Sequence, residues 1–257
     1  MGLFDLFRRK ATTSATQSPD ASAPVTSTTS STPAPVPAPS ATTRSTNMTT
    51  ITIIGAGNMA RGIAARAQAG GHAVQILARD AEAAAKLAGE LGGGITTGGI
   101  GDAVTGEIVV LALPYDAALA VAEELRDALA GKVVVDITNP VDFATFDRLV
   151  TPADSSAAEE IAKVVPASKV VKAFNTTFAG TLVGGEVAGE KLDVLIAADD
   201  AEAKAAVVEL VESSGMRGLD AGPLKRSHQL EGIGFVHMTL QGQLGNTWST
   251  GVKVIGA

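Results

Sequence analysis

The chain has 257 residues, 46% of them hydrophobic, and a formal net charge of −7, so it has apolar material for one large domain or two small ones. No apolar run approaches the ~18 residues of a membrane span, and the lack of cysteine excludes disulfides, thiolate nucleophiles and cysteine-based metal sites. Four cations and two carboxylates fall in residues 1–50, which leaves an acidic body with one Trp and one Tyr; no nucleic-acid partner is expected without a basic track or stacking platforms.

Residues 1–10, MGLFDLFRRK, set Leu3, Phe4, Leu6 and Phe7 beside three cations. Asp5 interrupts the run, which is too short for a secretory signal. It reads as an amphipathic segment that docks on a protein or a membrane surface, the alternative being a disordered leader. Residues 11–48 are almost wholly Ala, Ser, Thr and Pro and cannot bury enough surface to offset their ordering entropy, so a disordered linker is expected. Met48 is an alternative start. The body, residues 49–257, is expected to be one cytoplasmic domain.

That body opens with a buried strand, Ile51 to Ile54, which turns through Gly55-Ala56-Gly57 into a helix beginning Asn58-Met59. The pattern is GxGxxA. Gly55 permits the tight turn, Gly57 lets a pyrophosphate approach the backbone, and Ala60 lets the helix pack closely on the strand. Exposed N–H groups at the helix start would hold the phosphates. A second strand, Val74 to Leu77, ends in Ala78-Arg79-Asp80, where NAD-selective sites carry a carboxylate on the adenosine ribose. Here a guanidinium follows instead, which favours NADP. Asp80 is placed to cap the next helix, Ala81 to Leu91.

Further strands are predicted around Ile95 to Thr97, from Glu107 to Leu113 and from Lys132 to Ile137, with a helix over Asp116 to Leu129. Ser156 to Val165 reads as a helix and Lys169 to Phe174 as a strand. Asp193 to Ala197 is strand-like, Asp199 or Asp200 caps a helix to Ser214, and a last helix runs from about Leu224 to Leu244. Such alternation predicts an α/β, Rossmann-type, doubly wound and mostly parallel sheet with a small C-terminal extension, preceded by a disordered N-terminal tail. Ligands on such sheets sit beyond the carboxyl ends of the strands. The candidate cofactor loops are therefore Gly55 to Met59, Leu113-Pro114-Tyr115 and Asn139-Pro140, although Pro114 and Pro140 could simply end strands. His72, His228 and His237 are scattered, and no metal site is expected.

Taken together, Gly55-Ala56-Gly57-Asn58-Met59, Arg79, Leu113-Pro114, the VVKAFNT segment from Val170 to Thr176, and Asp220-Ala221-Gly222-Pro223-Leu224 resemble the NADP-dependent oxidoreductases of the deazaflavin coenzyme F420. The first motif is shared with pyrroline-5-carboxylate reductase. The resemblance implies direct hydride exchange between nicotinamide C4 and deazaflavin C5, with the rings face to face. It requires no nucleophile or general base, and Tyr115 has no lysine four residues on, so no catalytic residue is assigned. Asn175, Thr176 and Thr177 would border the deazaflavin. Where the family commonly has histidine this chain has Asn175, an uncharged donor for a ring carbonyl or else an amide that ties its own loop. Ala78 stands where the family commonly has serine. The expected cofactors are NADP and, as co-substrate, a deazaflavin or FMN.

Two other readings compete: an NADPH-dependent imine reductase of the pyrroline-carboxylate type, and a non-catalytic NADP-binding redox sensor tethered by its tail. The strands at Val170 to Phe174 and Asp193 to Ala197 argue against the first, whose substrate domain is mostly helical. Family precedent and the C-terminal helix, with Leu230, Ile233, Phe235, Met238 and Leu240, imply a homodimer.

Overall fold

The β-branched runs predicted as buried form the middle of one sheet, flanked on both faces by helices. The structure, a computed structural model, describes residues 48–256. The segment at 1–10 and the spacer up to residue 47 lie outside the described residues. In chain order the elements are β1 (Thr50–Ile54), α1 (Asn58–Ala69), β2 (Ala73–Ala78), α2 (Ala81–Leu91), β3 (Thr96–Gly99), β4 (Ile108–Leu111), α3 (Tyr115–Glu124), α4 (Arg126–Leu129) and β5 (Val133–Asp136). There follow α5 (Ala157–Val164), β6 (Lys169–Lys172), α6 (Ala179–Gly184), β7 (Glu186–Val187), β8 (Glu190–Lys191), β9 (Asp193–Ala198), α7 (Ala201–Ser213), β10 (Arg217–Gly222) and α8 (Ser227–Leu240).

The sheet runs β10-β9-β6-β5-β4-β1-β2-β3. From β3 to β6 every pairing is parallel, whereas β9 meets β6 antiparallel and β10 follows β9 in parallel. Strand side chains alternate between faces. Ile51, Ile53, Val110, Val135 and Val171 share one core with α1, α2, α6 and α7. Ile54, Val109, Leu111, Val134 and Val170 share another with α3, α4 and α5. Both faces are covered, which is why these strands read as unbroken apolar runs.

Capping fixes three helix starts. Asp80 accepts from the N–H groups of Glu82 (3.0 Å) and Ala83 (3.3 Å), Ser156 from Glu159 (3.2 Å), and Asp200 from Ala203 (2.8 Å). Each such bond satisfies a donor with no partner inside the helix. The helix expected over 116–129 is divided at Leu125 into α3 and α4, and the last helix ends at Leu240 rather than near 244. Helix α6 and the β7–β8 hairpin were not anticipated, because six- and two-residue elements are too short to show a period. No described helix is long and apolar enough to cross a membrane.

The residues after α8 fold back as a strap. Asp193, at the start of β9, accepts from Arg217 (2.8 and 2.5 Å), from Lys253 Nζ (2.9 Å) and from the Val254 N–H (2.8 Å). Burial alone would raise its pKa, but Arg217, the Val254 N–H and Lys253 together lower it from 3.8 to about 2. A carboxylate with a depressed folded-state pKa stabilises fully above its unfolded value and loses that contribution as pH falls through the folded one. Accordingly, Asp193→Asn is expected to be less stable than the parent at neutral pH, with the gap closing between about pH 4 and about pH 2; urea unfolding of both proteins across that range measures it.

Candidate functional site

At the carboxyl edge of the parallel strands, β1 leaves the sheet through Gly55. This residue donates its N–H to Leu77 O (2.8 Å) and has φ +122°. A Cβ there would lie 2.4 Å from the Ala112 carbonyl oxygen, so the turn is closed to any side chain. Ala56 is half-buried in it. Gly57 caps α1 in an extended conformation with no side chain over the helix end, and a Cβ on it would meet nothing within 4 Å. The first bond of the helix is Arg61 N–H to Gly57 O (3.0 Å). The preceding N–H groups therefore face open space with the helix dipole behind them, a fit for a diphosphate. Ala60 is fully buried on the inner face of α1.

On the same edge, Ala78 is buried at the end of β2 and Arg79 is exposed beyond it. Arg79 makes no ion pair among the described residues, so its guanidinium is available to an anion. These side chains stand beside the phosphate turn, outside the main cleft.

That cleft has a volume of about 690 Å³, within the ~300–1,000 Å³ range of ligand pockets. It brings together Gly57, Asn58, Met59, Leu113, Pro114, Asn139, Asn175 and Thr177 of the residues singled out from sequence. Besides Ala78, Arg79 and the turn residue Gly55, four others do not line it. Tyr115 is half-buried at the start of α3, where burial, followed by Glu160, Asp116, Glu231 and Asp136, raises its hydroxyl pKa. Pro140 is buried, and its carbonyl accepts the Val150 N–H (2.7 Å). Thr176 is buried with its hydroxyl unpartnered, and Ala56 stays in the turn.

Asn175 borders the cleft, but its amide nitrogen is spent inside the protein, on Asn139 Oδ1 (3.0 Å) and Leu230 O (2.8 Å). Asn139 returns a bond from Nδ2 to Asn175 O (2.7 Å). This geometry is that of the loop-tying amide. Its Oδ1 is buried without a partner. Asn139 lies so close to α8 that a Cβ on Gly234 would be 2.4 Å from its Oδ1. Thr177 spends its hydroxyl on Phe174 O (2.7 Å).

The far half of the cleft was not read from the sequence. Of nine aromatic Phe, Trp and Tyr residues in the chain, Phe143, Phe174, Phe178 and Trp248 gather here, with Met238. Phe143 and Trp248 lie in loops far apart in the chain, Phe174 and Phe178 share the loop between β6 and α6, and Met238 is in α8. They share no periodicity, and only Phe143, Phe178 and Trp248 stood outside the predicted strands and helices. Phe178 is stacked on His237 (4.2 Å, 25°) and meets Trp248 edge to face (5.1 Å, 79°). Burial lowers the His237 pKa against an opposing backbone contact from Thr176. No charged side chain of the described residues lines the cleft.

Beneath the cleft floor, Lys172 is fully buried. Its ammonium donates to Asp136 Oδ2 (2.7 Å), Glu231 Oε1 (2.7 Å) and Thr138 O (2.6 Å). Glu231 also accepts from the Ala157 N–H at the start of α5 (3.0 and 3.2 Å). Burial raises the Glu231 pKa against the opposing pull of Lys172. For Lys172 burial works downward, and the two carboxylates outweigh it to raise the pKa.

Residues 50–140 match the model of the family described as NADP oxidoreductase coenzyme F420-dependent. Over 194 residues the chain is 32% identical to an F420-dependent NADP reductase of Methanothermobacter thermautotrophicus, an alignment that covers 70% of this chain and 83% of that protein. The chain belongs to the F420-dependent NADP oxidoreductase family. A second F420-dependent NADP reductase, from Methanocaldococcus jannaschii, is 36% identical over 132 residues, half of this chain and 59% of the relative; here the chain spans less than two thirds of the relative's length. The crystal structure of a protein from Arthrobacter sp. FB24, described as a candidate F420-dependent NADP reductase, superposes with a TM-score of 0.71 at 30% identity, over 80% of this chain and 99% of that one.

For this family member, two expectations follow from the site. Gly55→Ala sets a methyl group against a backbone oxygen and is expected to abolish NADPH binding in calorimetry. Lys172→Met strands two buried carboxylates and is expected to cost about 3–5 kcal/mol. Chemical denaturation should show that loss shrinking as pH is lowered and Glu231 takes up a proton.

Proposed function

We propose that this chain transfers hydride between NADP(H) and a deazaflavin of the F420 type or a flavin. The observation that carries the reading is the polarity of the site along its length: an uncapped helix start and a free guanidinium at one end, an uncharged aromatic chamber at the other. The first end suits a dinucleotide with an extra phosphate, because backbone donors and a guanidinium fork both favour phosphate oxygens. The second suits two planar rings, because apolar walls exclude water and aromatic faces orient flat ligands.

When bound, NADPH would supply a hydride from nicotinamide C4, which a deazaflavin would accept at C5 or a flavin at N5, with one proton from solvent completing the reduced ring. Nothing in that exchange asks for a protein acid or base. The chain's residues position and enclose: Gly57 and the start of α1 hold the diphosphate, Arg79 the 2′-phosphate, and Leu113, Pro114 and Asn139 the nicotinamide side. The aromatic residues with Thr177 border the acceptor. A carboxylate-bearing imine would call for a cation in the cleft, and the lining offers none.

We assign the exposed apolar residues of α8, Ile233, Val236 and Leu240, to a homodimer contact. Leu230 belongs to the core and Met238 to the cleft. The amphipathic segment at 1–10 is assigned to docking on a protein or membrane surface, with 11–48 as its linker to a cytoplasmic body.

Purified protein mixed with NADPH and, separately, oxidised deazaflavin, FMN or pyrroline-5-carboxylate is expected to consume NADPH with the deazaflavin. Turnover with none of them would overturn the proposal in favour of a sensor. Arg79→Ala is expected to lower the preference for NADPH over NADH by about ten- to hundredfold, the worth of a charge-assisted phosphate contact; an unchanged preference would remove Arg79 from the site.

A further inference from the structure

The strap after α8 carries the only tryptophan of the chain to the mouth of the cleft, and the backbone is bent out of its ordinary range to do so. Trp248 has φ +50° and Asn246 φ +54°. A left-handed conformation is unfavourable for a bulky residue. Such a conformation persists only where its surroundings impose it, and here they do so on both sides. Upstream, Gln241 is fully buried. It donates to His237 O (3.0 Å) and to Thr250 Oγ1 (2.9 Å), and the same hydroxyl meets His237 Nε2 (2.8 Å). Downstream, Asp193 holds Lys253 and the Val254 N–H, and Arg217 holds Val254 O.

The indole so delivered is only partly used by the protein. One contact is the edge-to-face meeting with Phe178, itself backed by His237. Yet Trp248 remains 42% exposed while lining the cleft. A tryptophan serving only as core filler would be covered; one held at cost with its ring open to an uncharged cavity is shaped for a flat partner.

We infer that Trp248 is the specificity-determining wall of the acceptor subsite: its indole packs against the planar ring of the hydride acceptor and selects for extended aromatic rings. The inference rests on the hydride-transfer reading above, and its test separates the two. In steady-state assays with NADPH and oxidised deazaflavin, Trp248→Ala is expected to raise the acceptor KM roughly tenfold, the worth of one aromatic contact. The NADPH Kd from calorimetry should stay within about twofold of the parent, and Trp248→Phe should recover most of the loss. Trp248→Gly, which removes the strain along with the ring, should keep the thermal midpoint and show the same raised KM.

A direct readout needs no variant, since the single tryptophan makes protein emission a local probe. Deazaflavin added to the NADP-loaded protein should quench it in proportion to occupancy. An unmoved acceptor KM in both Trp248→Ala and Trp248→Gly would overturn the inference. So would a rise accompanied by parallel losses of NADPH affinity and thermal stability, the mark of a merely structural residue. If the parent turns over no acceptor but is quenched by deazaflavin, the subsite stands and the hydride-transfer reading falls. If it turns over deazaflavin without quenching, the reverse holds.

Discussion

One buried ammonium group organises this molecule. Lys172 ends β6 in the centre of the sheet, and its three hydrogen bonds reach the end of β5, the carbonyl before Asn139 and the middle of α8. Through Glu231 the same charge is tied to the start of α5. Stripping water from three ions is expensive, and packed apolar residues often do as well in stability alone. What the ion cluster adds is direction. It fixes how far along its axis α8 sits against the sheet, and so where Leu230 O receives Asn175 and where Gly234 receives Asn139. The uncharged floor of the cleft is held in place by charges that never reach it.

Around that anchor the two halves of the site obey different physics. The dinucleotide end is backbone chemistry, in which glycine geometry and helix N–H groups act almost independently of neighbouring side chains. The chamber end is assembled from side chains of several separate stretches tied by hydrogen bonds such as Thr177 to Phe174 O, Asn175 to Leu230 O and Thr250 to His237. Phe174, at φ +61°, turns the chain at the point where β6 hands over to these ties.

This division explains what could be read from the sequence. Gly55, Gly57, Asp80 and the central strands were legible because their signals are local: a turn requirement, a cap, an apolar run between breakers. Strand β9 was expected but not its direction, since nothing in an apolar run encodes which neighbour it will meet, and β10, a polar and glycine-bearing strand (Arg217–Gly222), was not read as a strand at all. Tyr115 and Pro140 were placed at the site because they follow strands at the right edge. The structure turns Tyr115 toward the acidic groups around α5 and buries Pro140, because position on an edge does not fix side-chain direction. The aromatic wall was invisible for the same reason, its members being far apart and without period. Asn175 lines the cleft, and its two roles were left open from the sequence; a hydrogen bond to the carbonyl of a helix fifty residues later cannot be seen from one loop.

The reversal at β9 also governs the order of assembly. Because β9 and β10 run against the other strands, α8 starts near Asp199 at the opposite edge, where Leu224 N–H meets that carboxylate, and climbs past Lys172 to the cleft. Nearly the whole described chain therefore lies between the phosphate turn at Gly57 and the indole that faces it across the cavity. Contacts of such long sequence separation close late in folding, since the entropy of joining distant segments must be met before the contact stabilises anything. The turn at Gly57 is thus built from residues 50–79 alone, whereas the chamber beside it is complete only with the stretch around Trp248.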